Sequence, residues 1–113
     1  MKVSFDGINE RVVTFETQPE VKANSLVKLA ANGMVAACAA AGDVPVGKAV
    51  RVEGGICAVQ TGGYMKVPYA AGVAVGYGLF SSDKDGKLAS GTTGRPGFVL
   101  DVDSAAGVCG VFF

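Results

Sequence analysis

Short apolar runs, separated by glycines and polar turn residues, fill the whole chain of 113 residues. In one of them Val50 and Val52 alternate with Arg51 and Glu53, which places the valines on one face of an extended chain and the charges on the other. Such alternation is typical of a strand with one buried face. Alternating or β-branched runs also predict strands within residues 12–16, 26–30, 34–39, 56–60, 64–68, 73–80, 87–89, 97–102 and 108–113. We expect the nearly continuous apolar run 73–80 to lie centrally in a sheet.

The tripeptide Ala-Ala-Gly occurs three times, and each copy precedes a strand-like run. Glycine adopts a positive φ at little cost, whereas valine and aromatic residues favour an extended backbone. We therefore predict that the three glycines form tight turns that lead into successive strands. These glycines are Gly42, Gly72 and Gly107.

Residues 26–39 admit two interpretations. Asn32 and Gly33 between two apolar runs are a strong hairpin signal, of the turn type with a positive φ at both central positions. The same stretch is rich in alanine, the best helix former. Gly33 would interrupt such a helix, and Val27 and Val35 disfavour it. We therefore expect two strands rather than one helix.

The composition indicates one all-β domain. The length suffices for a single core, and 50% hydrophobic with only 18% charged residues makes disorder improbable. Seventeen glycines are spread along the chain instead of forming a linker. Many short strands with glycine turns are typical of a small barrel or sandwich, or of a compact β-clip-like body.

Charge and targeting signals narrow the class of partner. Ten basic and ten acidic residues cancel, so no net charge points to nucleic acid or to a membrane surface. No apolar run approaches the roughly 20 residues of a membrane-spanning helix, and the first residues lack the apolar stretch of a signal peptide. We expect synthesis in the cytoplasm. Cys38, Cys57 and Cys109 lie far apart among small apolar residues, so buried free thiols are expected rather than disulfides.

Residues 42–48 have the glycine and lysine spacing of a phosphate-binding loop. That loop needs a Ser or Thr after the lysine to bind magnesium, and the residue here is Ala49. It also needs a helix to begin at this point, whereas the following residues alternate as a strand does. Pro45 removes one backbone donor as well. The sequence therefore predicts a turn.

Three further features suggest chemistry without supporting it. Residues 83–86 resemble the start of a calcium loop but lack its later ligands, so a hairpin tip is expected. Asp101 and Asp103 share one strand face, which an exposed strand end explains. Tyr64, Tyr69 and Tyr77 could stack on a sugar or a base, but core edges or interface anchors are the simpler interpretation.

The chain contains no histidine, which removes the commonest general base and the commonest metal ligand. The cysteines also lack the close spacing of a zinc site. We therefore expect no catalytic residue, no cofactor and no metal site.

The order of turns and strands from residue 21 to 113 resembles that of small capsid decoration, or cement, proteins of tailed phages. Asn24 departs from this pattern, because glycine is usual there, although asparagine also tolerates a positive φ. The motifs are turns and valines rather than a catalytic signature. They are Val21-Lys22-Ala23-Asn24-Ser25-Leu26-Val27, Ala39-Ala40-Ala41-Gly42, Gly54-Gly55-Ile56-Cys57-Ala58-Val59, Ala71-Gly72-Val73-Ala74-Val75, Asp85-Gly86-Lys87-Leu88, Gly97-Phe98-Val99-Leu100 and Ala105-Ala106-Gly107-Val108.

The resemblance implies a structural virion protein on the outer capsid surface. Its partners would be the major capsid protein and two further copies of itself in a homotrimer, which clamps the joints of the expanded head shell. This role needs no catalytic group.

The resemblance does not include the amino-terminal residues, so we consider residues 1–18 as a separate arm, or as edge strands of a body formed by 19–113. In the first case Val3, Phe5, Val13 and Phe15 would anchor the chain to the capsid or to a neighbouring copy. At the other end, Phe112 and Phe113 lie on opposite faces of a strand. We expect one of the two to fill the core and the other to contact a partner subunit.

Two other functions remain possible from the sequence. The first is a small non-catalytic β-domain that binds sugar or peptide ligands, which predicts a monomer with an aromatic cleft. The second is an enzyme of clip-type fold whose site is shared between subunits. That enzyme would require acidic clusters and a glycine-rich nucleotide loop, of which the chain has only scattered pieces.

Overall fold

The computed structural model describes residues 3–113, and all of its regular secondary structure is β-strand. This confirms the all-β prediction. The ten strands are β1 (Arg11–Thr17), β2 (Leu26–Ala31), β3 (Met34–Ala37), β4 (Gly47–Glu53), β5 (Ile56–Gly62), β6 (Tyr64–Pro68), β7 (Gly76–Ser82), β8 (Leu88–Gly91), β9 (Arg95–Asp103) and β10 (Val108–Phe112).

The strands form two sheets that follow each other along the chain. The first five strands close a small barrel in the order β1-β3-β2-β4-β5. The last five form a sheet in the order β6-β10-β9-β7-β8. The chain passes from the barrel to this second sheet at Gly63, whose φ is +86°. A small β-body of this kind is what the glycine-punctuated sequence predicts.

Strand β1 belongs to the barrel. It pairs antiparallel with β5 along most of its length and parallel with β3 at Glu16 and Thr17. The backbone of residues 11–17 therefore forms part of the barrel wall. Strand β1 has a partner strand on each side, β5 along most of its length and β3 at its end. Residues 1 and 2 lie outside the described part of the chain.

The hairpin in residues 26–39 is confirmed, and the helical alternative is wrong. Strands β2 and β3 pair antiparallel around Asn32 and Gly33. The predicted turn type is wrong, because only Gly33 has a positive φ, of 65°. The predicted turn would need a positive φ at both Asn32 and Gly33. The structure instead has a register shift between Leu29 and Ala31, just before the turn.

The predicted alternation in β4 is interrupted by a bulge. The pairing with β5 shifts between Ala49 and Arg51, so Val50 has no directly opposed residue. A bulge re-aims the side chains that follow it. As a result Val50 is 40% exposed instead of sharing a buried face with Val52.

All three Ala-Ala-Gly copies lie in turns, and Gly42, Gly72 and Gly107 have φ values of 91°, 95° and 71°. Strand β10 begins directly after Gly107. Several residues separate Gly42 from the start of β4 and Gly72 from the start of β7. Strand β7 has a partner on both sides, as expected for a central strand. Its first residues are nevertheless exposed, because one face of the sheet is open there.

Each sheet has its own apolar core. The barrel encloses a small core made of valines, Ala49 and Cys57. The inner face of the second sheet carries a larger core that includes Met65, Phe80 and Leu88. Leu26 and Cys38, from the barrel half of the chain, pack into this second core and so join the two layers.

Polar side chains complete the junction between barrel and sheet. Arg95, at the start of β9, donates hydrogen bonds to the carbonyl oxygens of Val46 (2.7 Å) and Thr61, both in the barrel half. Its guanidinium carbon also lies 4.5 Å from the centre of the Phe113 ring. The buried Gln60 amide donates to the carbonyl oxygens of Gly62 (3.2 Å) and Tyr64 (2.8 Å), where the chain changes sheets.

We expect Gly47→Ala to lower the free energy of unfolding by about 2 to 3 kcal/mol. A Cβ at this position would overlap the backbone carbonyl of Gln60 in β5. Gly91→Ala is the matched control, because a Cβ there meets no heavy atom within 4 Å and the φ is not positive. Urea unfolding of both variants measures the difference. Equal stabilities would contradict the close approach of β4 to β5.

Candidate functional site

The three thiols are buried and free, as the sequence predicts. Burial, followed by the nearby Asp43 charge, raises the pKa of Cys38 to about 11. Burial and the Asp101 charge raise the pKa of Cys109 to about 11, and burial raises the pKa of Cys57. These thiols are therefore protonated and shielded near neutral pH, unlike a reactive nucleophile. Within residues 3–113, no three His, Cys, Asp or Glu side chains are grouped so as to hold a metal ion.

The segment with phosphate-loop spacing is a turn that its own aspartate organises. The Asp43 carboxylate accepts hydrogen bonds from the backbone N–H groups of Ala39 and Ala40, both at 3.1 Å. It also forms an ion pair with Lys28 at 3.0 Å. No helix follows, since β4 begins at Gly47. The N–H groups of Gly42, Asp43 and Val46 within the segment donate to backbone carbonyl oxygens of the protein rather than to a phosphate site.

The other acidic motifs are structural too. Asp83 accepts from the N–H groups of Asp85 (2.8 Å) and Lys87 (2.9 Å) and thereby forms the tip of the β7–β8 hairpin. Asp101 accepts a 2.8 Å hydrogen bond from the Tyr64 hydroxyl. Burial and this carboxylate raise the pKa of Tyr64. Asp103 accepts from the N–H of Ala106 in the β9–β10 turn.

Two of the predicted contact residues are partly buried and pack against a core. Phe15 packs against the barrel core, and Phe113 packs against the core of the second sheet, with its ring centre 6.2 Å from that of Phe80. Of the last two residues, Phe113 is therefore the one that packs towards the core. Phe112 lies on the opposite face of β10 and is half-buried.

The remaining predicted contact residues lie on the surface or beside it. Val3 and Val13 are exposed. Phe5 is half-buried, with its ring centre 5.6 Å from that of Tyr64. The segment before β1 is thus attached to the second sheet, and the N–H of Tyr64 donates to the carbonyl of Ile8 (3.1 Å). It does not extend freely from the body.

The outer face of the second sheet carries a row of four aromatic side chains across neighbouring strands. Phe112 is paired with Tyr64 on one side and with Phe98 on the other, and Phe98 is paired with Tyr77. Directly opposed residues of antiparallel strands share a face. We call Tyr64, Phe112, Phe98 and Tyr77 the aromatic row.

The aromatic row is covered at one end and bare at the other. Phe5 covers Tyr64, which is buried. At the other end Phe98 is 50% and Tyr77 67% exposed, and their rings meet edge to face at 5.4 Å. Val75, 67% exposed, precedes this strand. Exposed aromatic pairs of this kind are typical of interaction surfaces.

The sequence identifies Tyr77 as a candidate stacking residue but gives no reason to single out Phe98. Only the pairing of β7 with β9 identifies Phe98 as the neighbour of Tyr77, and the local sequence does not show which strands pair. Tyr69 packs against the core, in agreement with the simpler interpretation.

The chain matches no protein-family model and no curated protein sequence. No helix within residues 3–113 is long and apolar enough to cross a membrane.

We expect Asp43→Asn to lower the free energy of unfolding by about 1 kcal/mol at pH 7, since the amide oxygen keeps the turn hydrogen bonds but loses the charge opposite Lys28. The Lys28 hydrogen bond and the two N–H groups hold the pKa of Asp43 below its ordinary value of 3.8. The carboxylate therefore stabilises the fold fully above that value, and the contribution is lost as pH falls through the lower folded-state pKa.

Urea unfolding of wild type and variant between pH 7 and pH 3 tests this expectation. The difference should be constant at neutral pH and shrink in acid. Asp85→Asn, at an exposed hairpin tip, is the matched control and should change stability little. A difference that grows as the pH falls would contradict the role assigned to Asp43.

Proposed function

We propose that this protein is a structural virion protein that binds the outer surface of a phage head and stabilises the shell, acting as a trimer with the major capsid protein as its partner. The bare end of the aromatic row is the observation that carries the proposal. Tyr77 and Phe98 expose an apolar contact on the paired strands β7 and β9, and the same two strands contribute Phe80 and Val99 to the core. Rigid aromatic side chains form contacts at a low entropic cost.

A closed ring of three copies needs two different patches on each subunit. The bare end of the aromatic row would be one of them. We place the second on the outer face of the β1–β5 pair, where Val12 and Ile56 are both exposed, four register positions apart. These patches belong to different sheets, so one copy can contact the next without using the same surface twice.

The proposed mechanism is additive. Each bound copy favours the shell form to which it binds, and many copies together shift the equilibrium by more than one contact does. The arrangement of Phe5 on Tyr64 would leave the covered end of the aromatic row unused in this contact. The protein would thus act through the complementarity of its surface to the shell. Its buried thiols and paired carboxylates would have structural roles only.

The second candidate is a small non-catalytic β-domain that binds sugar or peptide ligands. The exposed edge-to-face pair of Tyr77 and Phe98 favours it, because aromatic rings of this kind also stack on sugars. This candidate predicts a monomer in solution, whereas the capsid function predicts a trimer.

We expect the double variant Tyr77→Ser/Phe98→Ser to bind expanded heads at least about tenfold more weakly, since central aromatic contacts contribute most to an interface. The heads are assembled from the major capsid protein encoded in the same genomic neighbourhood, and co-sedimentation measures the bound fraction. Light scattering on the wild type should give the mass of three chains.

Ile8→Ser is the matched control, because it also removes an exposed apolar side chain but lies outside the aromatic row. It should bind as the wild type does. Circular dichroism checks that every variant keeps its β-structure. A monomeric wild type that leaves the heads in the supernatant would overturn the proposal.

A further inference from the structure

A cleft lies where the barrel meets the second sheet. Its volume is about 540 Å³, and its lining includes Arg11, Lys28, Leu29, Val44 and Arg95. Leu29 and Val44, which are 59% and 51% exposed, give this cleft an accessible apolar surface. A cleft of this size and character is suited to a ligand with an apolar part.

The charge of the cleft is positive and only partly balanced. Lys28 is paired with Asp43, but Arg11 and Arg95 have no carboxylate within 4.0 Å among residues 3–113. The guanidinium of Arg11 lies over Gly62, next to Thr61, whose carbonyl accepts a hydrogen bond from Arg95. Burial, and then the positive charge of Arg11, lower the pKa of Arg95. Two neighbouring guanidiniums without a counter-ion favour an anion.

Arg95 is already held in place for such a contact. Two of its five N–H donors are used on backbone carbonyls, and the Phe113 ring fixes its plane. The remaining donors have no partner among the hydrogen bonds of residues 3–113. Little rotamer freedom would therefore be lost when a carboxylate binds.

The third feature is an unpaired strand edge. Strand β2 pairs with β3 along its length, but with β4 only at Leu26 and Val27. Leu26 accepts from Cys38 on the β3 side, and Val27 accepts from Val46 on the other side. Because backbone groups alternate along an antiparallel strand, the N–H and C=O of Leu29 point the same way as those of Val27. They face the cleft without a partner strand.

We propose that this cleft binds an extended acidic segment of a partner protein, with its backbone paired to Leu29, an apolar side chain on Leu29 and Val44, and a carboxylate between Arg11 and Arg95. Each part of the cleft accounts for one part of such a ligand. A free organic acid would use the cations and the apolar surface but leave the strand edge unpaired. Addition of a strand to an open edge is a common mode of peptide recognition.

The inference does not depend on the partner being a capsid protein, so it is tested on the isolated chain. The probe is the blocked peptide acetyl-Ser-Val-Glu-Val-Ser-amide, titrated into ¹⁵N-labelled protein and followed by NMR. We expect amide shifts concentrated in residues 28–31, at Val44 and Val46, and at the side-chain N–H of Arg95. The same peptide with Gln in place of Glu should bind about tenfold more weakly or worse.

Arg11→Gln should also weaken the Glu peptide about tenfold. Arg11 makes no side-chain hydrogen bond within residues 3–113, so the variant keeps the fold. Arg51→Gln is the matched control, because Arg51 is an exposed arginine on β4 that pairs with Glu53 outside the cleft. It should bind as the wild type does. Equal affinity for the two peptides, shifts elsewhere, or an Arg11→Gln protein that binds normally would overturn the proposal.

Sodium octanoate separates a free acid from a peptide. If octanoate binds the cleft as tightly as the Glu peptide, the strand edge contributes nothing and the peptide proposal is wrong. Loss of peptide binding with head sedimentation intact would overturn this inference and leave the proposed function standing. Peptide binding without head binding would support this inference and overturn the proposed function.

Discussion

The guanidinium of Arg95 joins the two halves of the molecule, and the positions of both proposed contact surfaces depend on this junction. It donates to the carbonyls of Val46 and Thr61 in the barrel half and stacks on Phe113 at the end of the second sheet. A half-buried charge needs hydrogen-bond partners, and here two of the five N–H donors of Arg95 have them in neutral carbonyls rather than in a carboxylate. The barrel and the sheet are thereby held at one fixed junction. The cationic cleft opens at this junction, and the aromatic row lies on the far face of the same sheet.

The sequence predicts the parts of the fold that depend on local pattern. Glycine and asparagine positions identify the β2–β3 hairpin, and the alternation in residues 12–16 identifies β1. It cannot show that β1 closes a barrel, because the pairing of Glu16 with Met34 joins residues far apart in the chain. Bulges are not visible in the sequence either. The bulge at Val50 separates this residue from Val52, although the alternating pattern assigns both to one face of β4. Arg95 was not singled out for the same reason, since only the packing of two sheets gives it a role.

For the candidate surfaces too, local sequence patterns predict some features, whereas others depend on pairing between distant strands. Phe112 and Phe113 were expected to face opposite ways, and the structure makes Phe113 the core residue. Phe98 becomes important only through its pairing with Tyr77 and Phe112 on neighbouring strands. The acidic motifs that look chemical in the sequence are used within the fold, as turn acceptors and as the partner of Lys28 or Tyr64. What remains available to a partner is an aromatic face and a cationic cleft, both held by stiff β-structure.

Electron cryo-microscopy of expanded heads incubated with the purified protein tests the central claim most directly. The proposed function predicts added density on the outer surface, with three copies over each joint between capsid subunits and the open face of the second sheet at a contact. Heads without added density, or with single copies bound inside the shell, would contradict it.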